Sequence, residues 1–185
     1  MCEWRMVAGW GDMDFNSHMR NTAYLDKSAD LRMMYFSENG FPMQEFMSLR
    51  LGPVVMHDEL DYFREVGLLE ELRVTLAELA ADGSRFAIQN TFFRRDGKMA
   101  ARVKSRGGWM DLTTRKLIAP PDRLLVALRS APRSEDFVET PSSLKIVANQ
   151  SVPSDISTSG TSSWVIRWSS FRMISEGNPA ATSDR

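Results

Sequence analysis

The segment Gly11-Asp12-Met13-Asp14-Phe15-Asn16-Ser17-His18-Met19-Arg20-Asn21-Thr22-Ala23-Tyr24 gathers two carboxylates, a histidine and two asparagines. Directly behind it, residues 22–38 run without Pro or Gly. Leu25, Ala29, Met33 and Phe36 recur there at steps of four, four and three, and Tyr24, Leu31 and Tyr35 form a second stripe. That spacing predicts a helix buried on several sides. The first turn of a helix carries unpaired backbone N–H groups and a partial positive charge. A carbonyl oxygen held against it is polarised, as in an oxyanion hole. A carboxylate a few residues upstream can then attack the carbonyl carbon or activate a water. Strand, polar loop and helix entry together supply what hydrolysis of an activated acyl group requires.

The elements that must hold this loop are legible around it. Trp4, Met6 and Ala8 alternate with Glu3, Arg5 and Val7 and predict a first strand leading to Trp10. Asn21 is the predicted N-cap of the long helix, and Asn39-Gly40 with Pro42 beyond marks its end. A short helix is expected over residues 43–49. Strands follow over 54–66, 72–80, 85–94 and 99–112, although Leu79 breaks the alternation set by Leu72, Val74 and Leu76. Ala81-Asp82-Gly83-Ser84 and Arg95-Asp96-Gly97-Lys98 read as hairpin turns. Pro120-Pro121 ends the sheet, and Asp122 is placed to cap a last helix through Leu128. The expected fold class is α+β, a long buried helix wrapped by a curved antiparallel sheet.

Composition narrows the function classes. The 185 residues carry 23 Lys+Arg against 24 Asp+Glu, a net charge of −1, which argues against a nucleic-acid binder. One cysteine, Cys2, excludes an internal disulfide framework, and being terminal with no motif partner it is no candidate nucleophile. With two histidines, His18 and His57, no metal site is expected. No apolar run approaches the ~18 residues of a membrane span, and the first residues lack a signal-peptide core. The expectation is a soluble, cytoplasmic chain. Ser and Thr number 12 in residues 1–133 and 17 in residues 134–185, so the folded domain is placed at 1–133 and a Ser/Thr-rich tail at 134–185. Trp164, Trp168 and Phe171 stand at helical spacing in that tail and suggest a short amphipathic helix.

The spacing Asp-x-Asp-x-x-x-His-x-x-Asn-x-x-Tyr resembles the signature of hotdog-fold thioesterases of the 4-hydroxybenzoyl-CoA and acyl-CoA thioesterase branch. Asp14-Phe15-Asn16-Ser17-His18 is similar to the active-site motif of plant acyl-carrier-protein thioesterases. Residues 52–66 and Phe92-Phe93-Arg94-Arg95-Asp96-Gly97-Lys98 also look like that family's strands, so the resemblance covers roughly residues 3–133. Many relatives carry Gly before the His and Val-Asn after it, where this chain has Ser17 and Met19-Arg20.

The resemblance implies hydrolysis of an acyl-CoA to a carboxylate and free CoA, without metal or bound cofactor. Asp14 is then the general base or nucleophile, and the helix start near Met19 to Asn21 polarises the carbonyl. His18 and Asn16 act as orienters. Met19, Arg20, Asn21, Tyr24, His57 and Arg94 are the candidate substrate contacts. Asp12 is read as structural, through turn or cap hydrogen bonds, and Asp26 and Asp30 as a solvated or paired helix face. The family assembles as homodimers or homotetramers with sites at subunit interfaces. The other readings are an acyl-carrier-protein thioesterase and a non-catalytic acyl-CoA-binding hotdog module.

Overall fold

The computed structural model describes residues 2–138. The tail's proposed helix around Trp164, Trp168 and Phe171 lies outside the described residues.

Strand β1 (Glu3–Val7) leads through a 3-10 turn at Trp10–Asp12 to helix α1 (Asn21–Glu38). Helix α2 (Met43–Ser48) and strands β2 (Leu51–Tyr62), β3 (Glu71–Ala81), β4 (Arg85–Arg94) and β5 (Met99–Asp111) follow. A short β6 (Lys116–Leu117) and helix α3 (Asp122–Arg129) complete the order. The strands form one antiparallel sheet in the order β1-β3-β4-β5-β2, with β6 added to β5. The expected architecture is therefore present. No helix among the described residues is long and apolar enough to cross a membrane.

Helix α1 lies along the sheet. Near its start, Tyr24 meets Phe92 edge-on with ring centres 5.2 Å apart; near its end, Phe36 meets Trp109 edge-on at 5.6 Å. The core divides accordingly. One cluster gathers Met19, Tyr24, Leu31, Val74, Phe92 and Val103 under the first half of the helix. The other gathers Tyr35, Phe36, Phe46, Phe86, Trp109 and Leu128 under the second half. The buried Tyr35 hydroxyl donates to the Ala127 carbonyl at 2.6 Å and ties α1 to α3. β5 carries Gly107 where a Cβ would run into the Val54 carbonyl oxygen and the Phe86 ring, so only glycine lets β2 and that aromatic close over it.

Four expectations need correction. Helix α1 buries one face, made by Ala23, Tyr24, Ser28, Leu31, Arg32, Tyr35 and Phe36; Leu25 and Met33 are half-buried and Ala29 is exposed. Of the expected apolar stripe, Phe36 faces inward while Leu25, Ala29 and Met33 form a flank, and the inward face includes the polar Ser28 and Arg32. Asn21 is the first helical residue and Arg20 stands at the N-cap position, with no side-chain cap. Asp122 likewise starts α3 behind Pro121 rather than capping it. β2 ends at Tyr62, since the N–H groups of Phe63 and Arg64 both turn to the Ala100 carbonyl. The phase break at Leu79 is a β-bulge between Glu78 and Ala80, which buries Glu78 and Leu79 together. Beyond α3 the chain continues along β3: Ser134 N–H donates to the Glu78 carbonyl and Val138 N–H to that of Leu79.

Candidate active site

The polar loop is fixed at both ends by Asp12 and Asp14, which do different work. Asp12 Oδ2 accepts the Gly9 N–H at 2.7 Å and Lys27 Nζ at 2.8 Å, and its carbonyl accepts the Arg20 N–H at 2.8 Å. Burial pushes its carboxyl up. The Lys27 contact, the Gly9 N–H and the charges of Lys27 and Arg20 outweigh that and hold it below the ordinary range. Asp12 is a clamp between loop and helix.

Asp14 roots a tight turn. Its N–H donates to the His18 carbonyl at 2.8 Å, and its Oδ1 accepts the N–H groups of Asn16 (2.8 Å) and His18 (3.1 Å). Oδ2 takes no hydrogen bond among the described residues. Ser17 closes the turn with φ 62°, a left-handed backbone that costs a residue with a Cβ about 1–2 kcal/mol and glycine almost nothing. A glycine at this position would adopt the same backbone without that cost.

Of the three N–H groups leading into α1, two are spent. Met19 donates to the Val66 carbonyl and Arg20 to that of Asp12, both at 2.8 Å. Thr22 and Ala23 are also occupied, by Asn21 Oδ1 (2.8 Å) and the Arg20 carbonyl (3.1 Å). The Asn21 N–H has no partner among the described residues, and it sits at the positive end of an 18-residue helix.

The opposite wall comes from the end of β2 and the segment after it. His18 bridges to Gly67, so residues 62–66 are stapled against 18–19. Arg64 Nη1 donates to the Met99 carbonyl at 2.8 Å. His18 Nε2 lies 3.2 Å from Glu65 Oε2. Between the walls opens a cavity of about 530 Å³. Asp14, His18, Met19, Arg20, Asn21 and Tyr24 line one side, and Tyr62, Phe63, Arg64 and Glu65 the other. Tyr24 meets Tyr62 edge-on at 5.8 Å, and burial with the neighbouring Tyr62 and Glu70 pushes its phenol up to about 12, so it is a neutral wall.

Six of the nine candidate residues thus share one cavity. Asn16 is exposed at the turn and contributes its backbone N–H to Asp14 rather than a side chain to the cavity. His57 is exposed on β2 opposite Arg106, and Arg94 pairs with Glu70 (Nε to Oε1, 2.5 Å); neither lines the cavity. Sequence reasoning missed Tyr62, Phe63, Arg64 and Glu65. Their signal was the fading alternation at the end of 54–66, where a strand pattern gives way to two aromatics and two charges.

The family described as the thioesterase-like superfamily matches residues 8–128. No curated protein matches the chain. Among solved structures, a hypothetical protein of Staphylococcus aureus characterised in complex with CoA is similar at a TM-score of 0.66 and 19% identity, covering 71% of this chain and 86% of its own. A 1,4-dihydroxy-2-naphthoyl-CoA thioesterase from Synechocystis is similar at 0.65 and 17%, covering 70% and 96%. The probable thioesterase YbaW of Escherichia coli is similar at 0.60 and 20%, covering 69% and 96%. Likeness at such identities establishes a shared hotdog fold.

Proposed function

Because the chain belongs to the thioesterase-like superfamily it is a thioester hydrolase, and we propose that its substrate is an acyl-CoA cleaved with Asp14 as the acting carboxylate. The observation that supports this most is one juxtaposition on the same cavity: Asp14, one of whose carboxylate oxygens accepts no hydrogen bond among the described residues, and Asn21, whose N–H has no partner among them. The thioester carbonyl oxygen accepts the Asn21 N–H at the positive end of α1, which stabilises the negative charge that grows on it. Asp14 Oδ2 then attacks the carbonyl carbon, or takes a proton from a water that does. On the first route the C–S bond breaks as the acyl group forms a mixed anhydride with Asp14, the thiolate takes a proton from solvent, and a water then hydrolyses the anhydride to the free carboxylate. On the second the water's oxygen joins the acyl carbon, the C–S bond breaks, and Asp14 passes the water's proton to the departing sulfur. His18 orients water or substrate beside them. Two of the similar structures concern CoA, which favours a CoA carrier for this chain too.

Thiol release measured across an acyl-CoA panel tests the proposal. Turnover is expected on at least one CoA ester; binding of acyl-CoA without release would make the chain a non-catalytic module. A single turnover in oxygen-labelled water separates the routes, since label in Asp14 marks a covalent anhydride.

Assembly belongs to the same reading. β2 ends the sheet order, and residues 55–59 along its middle are exposed. An edge of this length favours pairing with a second copy. A homodimer or homotetramer is expected by light scattering, and a monomer at micromolar concentration speaks against it.

A further inference from the structure

Resting on that reading, we infer that Glu65 is a positioning residue that fixes which nitrogen of His18 faces the reaction. The two side chains meet through His18 Nε2 and Glu65 Oε2 at 3.2 Å, and both line the cavity that holds Asp14. Their backbones are held in register on either side of the contact. Met19 N–H donates to the Val66 carbonyl at 2.8 Å, and His18 bridges to Gly67. Main-chain pairing thus brings the two residues opposite each other, and the side chains complete the contact. His18 is bound to Asp14 as well, since its N–H donates to Asp14 Oδ1.

A carboxylate has only acceptors to offer, so the imidazole nitrogen facing it must carry the proton. Glu65 therefore selects the Nε2–H form of neutral His18. That leaves Nδ1 as the ring's one acceptor, available to hold the water or hydroxyl that works with Asp14 Oδ2. The other charged or titratable groups of the cavity are Asp14, Arg20, Tyr24, Tyr62 and Arg64. Arg20 and Arg64 cannot accept the Nε2 proton. Asp14 meets His18 through its backbone N–H, and the tyrosines show no bond to the ring among the described residues. Glu65 is the one side chain paired with the ring there.

The test uses the full chain, nitrogen-labelled at histidine. Only His18 and His57 contribute signals, and a His57→Gln spectrum assigns them. In the unaltered protein the neutral His18 ring is expected to show Nε2 protonated and Nδ1 bare. Glu65→Ala and Glu65→Gln should both weaken that preference, because alanine offers no acceptor and the glutamine amide can donate to a bare Nε2. Thiol release should fall about three- to fivefold in kcat, with KM within about twofold, the scale of one exposed charged contact. Glu65 is largely exposed (side chain 77%), so the melting temperature should hold. An unchanged His18 tautomer in Glu65→Ala overturns the inference, and so does an unchanged kcat. If the unaltered protein releases no thiol from any CoA ester, the functional reading fails while the nitrogen spectra still decide the pairing.

Discussion

Asp14→Asn is expected to lower thioester turnover by at least ~10²-fold, the low end for removing an acid–base group, while leaving the melting temperature where it was. The expectation rests on how the two carboxylate oxygens divide their work. Oδ1 accepts the N–H groups of Asn16 and His18 and so shapes the turn. Asparagine keeps an acceptor of the same shape there, and the turn should survive. What disappears is the negative charge and the second oxygen, the atom that would attack or take a proton. Asp12→Asn is the control. It removes the charge that faces Lys27 at 2.8 Å and should cost stability more than rate. Near-normal turnover in the Asp14 variant, at unchanged melting temperature, would remove Asp14 from the mechanism.

The largest effect on stability is expected at the other end of the helix. Trp109 has no exposed surface and packs against Phe36 (5.6 Å), Phe46 (6.4 Å, stacked) and Phe86 (4.9 Å). Trp109→Ala should destabilise by ~3–5 kcal/mol through lost burial and the cavity left behind. Against a typical margin of ~5–15 kcal/mol, that is a large share of what keeps a domain folded. Trp109→Phe should be far milder, under about 2 kcal/mol, because the indole N–H has no partner among the described residues and nothing polar is orphaned by its loss. Urea unfolding checks both, with midpoints compared at constant slope. A loss below ~1.5 kcal/mol in Trp109→Ala would mean the aromatic cluster is looser than its ring distances indicate.

Local signals with a steric cause were readable in advance. Asn39-Gly40 ends α1, with Gly40 at φ 82°, and the Asp-Gly turns sit at Gly83 and Gly97 with φ 86° and 78°. The broken alternation at Leu79 marked a real bulge. The six-residue cavity wall from Asp14 to Tyr24 was also legible, because a loop entering a helix keeps its residues close together in sequence. The facing wall was not. Residues 62–65 reach the cavity only because Phe63 and Arg64 fold onto Ala100 and Val66 joins Met19, and each of these contacts spans more than 30 positions. Ser28 and Arg32 misled in the same way: polar side chains on the inward face look like surface until the sheet is in place.

The divided core also bears on how such an enzyme changes its diet. The aromatic pack at Trp109 lies about 18 Å along α1 from Tyr24, at ~1.5 Å per residue over the interval from Tyr24 to Phe36. Tyr62 and Phe63, which face Tyr24 across the cavity, are about half exposed and carry little of the fold's packing. A lineage can therefore reshape this cavity at those positions while the far cluster keeps the molecule folded. The frame is conservative at one end of a single helix and free to experiment at the other.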